Sequence, residues 1–388
     1  HVASFLAGFA SAPEVFNRAG QGYGENVSRW YRKLLNEDLY VTYTIIPPQV
    51  DRTKTAQGLE DPFVQVGVVA ERDDGIVVRG AKYETAAAYS NQAFVKPTIA
   101  NWGDDELSDY AVGFIVQMGQ PGMKHICRTG FAGREPAADY PLSNHFDEID
   151  TLVIFDDVEI PWENVLFYRH TRAAAYIRAT LHRYSAFPFV QRTLRMADLL
   201  IGAALFNVRQ TGLDKQQAVQ EKLAALACYR EGINAHLTAA IEQAEESPGG
   251  LLMPNQSLLY TGRVLATSQL PAMMHIAREL CGGQICVTPD AAAFQDPVTG
   301  PWLEKFYTIN EDWDADDRRK LLAFARDLIN SDYAGHRLTF QLFAQSPPFA
   351  NLAAVYRSFD WDGPLQKVQQ AADLSPTVLP KKRQKAQA

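Results

Sequence analysis

The side chains best able to do chemistry sit in a few short segments between long apolar stretches. In L-Y-V-T-Y-T-I-I-P-P-Q-V-D-R, residues 39–52, Tyr43 offers a phenol between two threonines in a β-branched run. A phenol donates a strong hydrogen bond, but with an ordinary pKa of about 10 it is a poor base at neutrality. Taken alone, Pro47-Pro48 is an extended connector, because proline holds the chain out of the helical region. Cys281 and Cys286 bracket C-G-G-Q-I-C but lack partners, so neither metal nor disulfide chemistry is expected of Cys127, Cys228, Cys281 and Cys286. Gly282 and Gly283 follow a long helical pattern and read as a helix cap and close-packing site. No G-x-G-x-x-G follows a strand, and no glycine-rich loop ends in Lys-Ser or Lys-Thr. Neither a nicotinamide nor a triphosphate site is therefore encoded.

Periodicity divides the elements that must position these groups into three regions. Residues 1–36 end in apolar side chains at helical spacing, Val27, Trp30, Tyr31 and Leu34. Residues 37–170 read as strands: Phe63 to Val69, a tight turn at E-R-D-D-G, Ile76 to Val78, Phe114 to Met118, and Thr151 to Phe155. Asp156-Asp157 is expected to break that last strand before Val158 and Ile160 resume it. Residues 171–373 read as a bundle of four or five long helices. Arg178 to Gln210, Glu221 to Ala244, Asn255 to Leu280 with a kink at Pro271, Asp316 to Asn330 and Tyr333 to Phe343 supply them. Residues 374–388 carry Lys381, Lys382, Arg383 and Lys385 after two prolines and read as a disordered tail.

The 388 residues suffice for two or three domains, and 47% hydrophobic with 21% charged residues marks a globular chain rather than a disordered one. A net charge of −8 without a basic stripe argues against nucleic acid, and no apolar run has the length of a membrane span. The cysteine usage fits a reducing cytoplasm. The chain opens on His1 inside a helix-like pattern, so its true N-terminus is expected upstream.

Two strings carry a resemblance to a known family. One is D-Y-P-L-S-N-H-F-D-E-I-D-T-L-V-I-F-D-D-V-E-I-P-W-E-N-V, residues 139–165, a loop and strand pair whose expected role is structural; the other is the 39–52 segment. Both resemble the oxygenase component of 4-hydroxyphenylacetate 3-monooxygenase and its relatives. The resemblance implies an α+β, acyl-CoA-dehydrogenase-like fold: an N-terminal helical part mostly missing here, a middle β-barrel or sandwich, and a C-terminal helical bundle. It implies FAD, delivered as FADH2 by a separate flavin reductase, with O2 as co-substrate. A phenol would be hydroxylated ortho to its hydroxyl through a C4a-hydroperoxyflavin, in a homotetramer.

The resemblance also assigns residues. Tyr43, Thr44, Ile45 and the turn Gln49, Val50, Asp51 and Arg52 would contact the flavin, with Thr85 near its N5 ahead of Ala86 to Ala88, which admit a flat ring. Ser346, in Q-S-P-P, would touch its other side, and Gly282 and Gly283 could abut a neighbouring subunit's flavin. His1 and Tyr43 are the catalytic candidates, and together with Thr98 they would line the substrate. His1 takes the place of a family tyrosine that follows an upstream arginine. Tyr43 is a departure, since the family places a histidine there to favour the phenolate. Substrate activation then falls to another group or depends less on deprotonation. Two alternatives stand beside this reading: a 4-hydroxybutyryl-CoA-dehydratase-like enzyme, which needs an iron–sulfur cluster that His182 and the distant Cys228 do not provide, and a non-catalytic fragment.

Overall fold

The computed structural model describes residues 2–374 apart from 19, 21, 52, 85–87, 98–104, 172–182, 345 and 347. Helix α1 (Val2–Ala10) is followed by a short turn of helix and then by α2 (Tyr23–Glu37). Val27, Trp30 and Leu34 recur at helical spacing and are buried along one face of α2. Asn26, on the same helix, donates from Nδ2 to the carbonyls of Trp162 and Val165, both at 2.8 Å. These bonds fix the helix against the end of the 139–165 stretch.

Strands β1 (Val41–Ile46), β2 (Gly67–Glu71), β3 (Gly75–Glu84), β4 (Gln92–Val95), β5 (Gly113–Gln117), β6 (Met123–Cys127), β7 (Thr151–Pro161) and β8 (Val165–Phe167) form one mixed sheet. Its order is β6-β7-β3-β1-β4-β5-β8, with β2 paired to β3. Where the sequence left a barrel or a sandwich open, the described strands form one path with β6 and β8 at its ends. The turn at E-R-D-D-G closes the β2–β3 hairpin through Arg72 N–H to Gly75 O at 2.8 Å. Gly75 is required there, because a Cβ would come 2.3 Å from the Ile160 carbonyl oxygen. The break expected at Asp156-Asp157 is instead a bulge. β7 runs on through it, with Asp157 at φ 55° and the pairing to β3 slipping between Val78 and Gly80. An extra residue on one strand is absorbed there without ending the ladder.

Val78, Ala93, Val95, Phe114 and Val153 pack in one core of the sheet. Tyr43, Phe94 and Ile115 pack in another, with Phe5, Leu6 and Phe9 of α1 and Trp30 of α2. Helices α3 (Arg183–Gln210), α4 (Gln217–Glu242), α5 (Gln256–Cys281), α6 (Ala315–Ile329), α7 (Asp332–Phe343) and α8 (Pro348–Ser358) make the C-terminal bundle. Asn255 caps α5 by accepting from Leu258 N–H at 3.1 Å, and the helix remains unbroken through Pro271. Leu200, Leu226, Leu270, Met273, Leu322 and Leu328 fill the core between these helices.

The 139–165 stretch has the structural role expected of it. Ser143 donates from N–H (2.8 Å) and Oγ (2.5 Å) to the buried Asp327 of α6. Asp139 accepts from Ala291 N–H at 3.0 Å and pairs with Arg319. Arg128 bridges Asp147 and Asp150, and His336 of α7 meets Asp150 at 2.6 Å. Sheet and bundle are thereby held in one relation, and the site forms between them.

Candidate active site

β1 places its residues on two faces, and Tyr43 points toward α1. Its ring stacks on Phe5, with centroids 4.5 Å apart and planes at 23°, and lies 5.8 Å from Phe94, its register partner on β4. Burial holds the Tyr43 hydroxyl well above the ordinary phenol range, against a smaller opposing pull from the Arg263 charge. Tyr43 is therefore a hydrogen-bond donor at any working pH and not a base. The buried Lys96, just past β4, brings Nζ to 5.9 Å from the Tyr43 ring centroid and 6.0 Å from that of Phe5.

The bundle contributes Arg263. It lies on the buried face of α5 with Leu259, Tyr260, Ala266 and Thr267, and is itself 3% exposed. Its Nη2 donates to Ser346 Oγ at 3.4 Å, and its guanidinium stands 5.8 Å from the Phe189 ring of α3. Burial lowers its pKa to about 10. Ser346 holds a left-handed conformation at φ 73°, costly for a residue with a Cβ, and its carbonyl accepts from Asn351 Nδ2 at 3.2 Å. Such backbone strain is characteristic of functional positions.

The other face of β1 is also polar and buried. Thr44 is fully buried opposite Glu84, and its Oγ1 has no hydrogen-bond partner among the described residues. Burial pushes the Glu84 carboxyl up to about 7, partly offset by the Thr42 hydroxyl. Lys82 donates from Nζ to the Ile45 carbonyl at 3.1 Å. Burial, with repulsion from Lys96, pushes Lys82 down to about 7. Next to these groups Ile46 and Tyr83, paired across β1 and β3, leave apolar surface open to solvent. An unsatisfied buried hydroxyl beside an open apolar edge fits the rim of a flat heteroaromatic ring with polar edges, as a flavin is.

The structure thus places Tyr43, Thr44 and Ile45 together on β1 and Ser346 against Arg263, whose charge acts on Tyr43. It does not draw Gln49, Val50 and Asp51 into this buried cluster. They form an exposed turn in which Gln49 Nε2 donates to Pro47 O and Asp51 accepts from Thr53 N–H and Oγ1. His1, Arg52, Thr85 and Thr98 lie outside the described residues. Gly282 is the cap of α5 at φ 72°, and open space surrounds it and Gly283. Sequence reasoning missed Arg263, Lys96, Lys82 and Glu84. Arg263 had left a signal, a charge on the apolar stripe of an amphipathic helix.

A mixed sheet flanked by an N-terminal helical part and a C-terminal helical bundle is the acyl-CoA-dehydrogenase-like fold, and here a strained, charge-bearing site lies between sheet and bundle. Family models described as 4-hydroxyphenylacetate 3-hydroxylase, N terminal and C terminal, match residues 1–167 and 171–373. The oxygenase component of 4-hydroxyphenylacetate 3-monooxygenase from Thermus thermophilus is 30% identical over 355 residues, covering 91% of this chain and 72% of that protein. A crystal structure of such a component, complexed with FAD and 4-hydroxyphenylacetate, superposes at a TM-score of 0.88 with 28% identity, covering 97% of this chain and 78% of that one. A 4-hydroxybutyryl-CoA dehydratase from N. maritimus superposes at 0.87 over 97% of this chain and 76% of its own, but at 20% identity it shows the fold alone. The chain belongs to the 4-hydroxyphenylacetate 3-hydroxylase family, and so to the flavin-dependent oxygenase components of two-component monooxygenases.

Proposed function

We propose that this chain hydroxylates a phenol ortho to its hydroxyl, taking FADH2 from a separate flavin reductase and using O2. Bound reduced flavin supplies the activation of oxygen; the protein's residues bind, orient and exclude water. Tyr43 donates its hydroxyl to the substrate phenol, with His1 and Thr98 lining the same side. Thr44, Ile45, the Gln49 to Arg52 turn, Thr85 and Ser346 hold the ring and its polar edges. The observation that carries this reading is the buried Arg263, bonded to the strained Ser346 beyond α7 and coupled electrostatically to Tyr43 of the sheet. The lack of a nicotinamide fingerprint supports a diffusible reduced flavin as the electron source.

The working form is a homotetramer in the cytoplasm. Supporting an assembly, α8 exposes Phe349, Leu352 and Tyr356, apolar surface that a monomer would leave wet. No helix among the described residues is long and apolar enough to cross a membrane. The test is single-turnover mixing of the purified chain with chemically reduced FAD, O2 and a panel of phenols, scored for catechol by chromatography. Oxidation of NADH by this chain without a reductase, or no catechol from any phenol, overturns the reading.

A further inference from the structure

Among the described residues, Arg263 is the most weakly held of the buried arginines. Arg319 pairs with Asp139 and Asp316, Arg183 pairs with Glu245, and Arg318 is held by the side-chain carbonyls of Gln210 and Gln284. Among the described residues Arg263 has one 3.4 Å bond to the Ser346 hydroxyl, and its Nε has no partner there. The titratable groups coupled to it are two phenols, Tyr260 on its own helix and Tyr43 on β1, both held neutral near pH 7 by burial. Tyr260 in turn faces Arg183 and Arg357, both cations. On the sheet side Lys96 adds positive charge at Tyr43, and Lys82 feels Lys96 in turn. The buried carboxylate of that side, Glu84, is not among the groups acting on Arg263. A buried guanidinium with no anion carries a large desolvation cost that an entering anion would offset.

We propose that Arg263 is the counter-cation of the substrate's ionised hydroxyl. The phenol is bound beside Tyr43 as phenolate, its proton is released to solvent on binding, and Tyr43 donates to the same oxygen. The inference rests on the phenol-hydroxylating reading above and names the group that takes over activation where the family's histidine is replaced by Tyr43. The chemistry suits it, because Tyr43 stays protonated and so can donate to the phenolate oxygen, while the fixed charge comes from a side chain that does not lose its proton near neutrality. A phenolate oxygen also raises electron density at the ring carbon ortho to it, which is the carbon to be oxygenated.

The test is a pH titration of 4-nitrophenol bound to the full chain loaded with anaerobically reduced FAD, followed by the visible absorption of the nitrophenolate. The bound probe should ionise at lower pH than the free probe. Arg263→Gln should move that ionisation back up by about one unit or more, and Arg263→Lys should keep most of the lowering. Circular dichroism confirms that each variant is folded, and reduced-FAD affinity is measured alongside. A folded Gln variant whose bound probe ionises as in the parent overturns the proposal. So does a variant that loses reduced FAD while the probe's ionisation is unmoved, since Arg263 would then serve the flavin. Should neither variant fold, calorimetry of the parent in buffers of different ionisation enthalpy decides. Close to one proton released per phenol bound supports the proposal, and none overturns it. A parent that binds a phenol with unshifted ionisation refutes this inference alone; a parent that binds no phenol refutes the functional reading as well.

Discussion

Burying Lys82 and Glu84 two residues apart on β3 should give this protein an unusual dependence of stability on pH. Lys82 is lowered on folding, from 10.5 to about 7. Between those values the unfolded chain holds a proton that the folded chain has released, so raising the pH through this window stabilises the fold. Glu84 is raised, from 4.5 to about 7. Between those values the folded chain holds the additional proton, so raising the pH through that window destabilises it. At 1.36 kcal/mol per unit the shifts correspond to about 5 kcal/mol for Lys82 and about 3 kcal/mol for Glu84. Their combined contribution is least favourable near neutrality. Urea unfolding of the flavin-free protein, followed by tryptophan fluorescence at a series of pH values, reads this directly. Lys82→Met should raise stability most at acid and neutral pH and flatten the alkaline rise. Glu84→Gln should flatten the decline on the acid side. Lys96→Met, by removing the repulsion, should move the alkaline rise to higher pH. If Lys82→Met leaves the difference between neutral and alkaline stability unchanged, Lys82 is not buried as a neutral amine and the reasoning fails.

Three further outcomes are expected. Tyr43→Phe keeps the ring stacked on Phe5 but removes the donor, so hydroxylation should fall by about 1.5–3 kcal/mol, roughly ten- to a hundredfold, with peroxide release rising in step; catechol and peroxide assays in one reaction check it, and loss of reduced-FAD binding instead would place Tyr43 in the cofactor site alone. Asp327→Ala strands both Ser143 donors and should destabilise the fold by about 1–3 kcal/mol without altering flavin affinity, as thermal unfolding and flavin titration would show. Phe349→Asp with Leu352→Asp should shift the oligomer toward smaller species by light scattering; an unchanged mass would mean that this face of α8 is not an assembly surface.

Local patterns alone determined much of this protein. Helical spacing from Asn255 onward marked α5 to within a residue, because an apolar stripe is a local feature; the Asn255 cap came only with the structure. The E-R-D-D-G turn located the β2–β3 hairpin for the same reason. Tyr43 stood out because phenol chemistry belongs to a residue type, whatever surrounds it. The bulge at Asp157 was harder to see, since two aspartates break a strand unless a neighbouring strand slips register to keep them, and that neighbour is β3. The chemistry of the site was decided by packing between distant segments. Lys82 and Glu84 alternate along a hairpin strand as solvent-facing residues do; they titrate abnormally because β3 lies inside the sheet between β7 and β1. Arg263 meets Ser346 across 83 residues and acts on Tyr43 across the interface between sheet and bundle. A charge takes its free energy from what surrounds it in space, and only the tertiary structure fixes those surroundings.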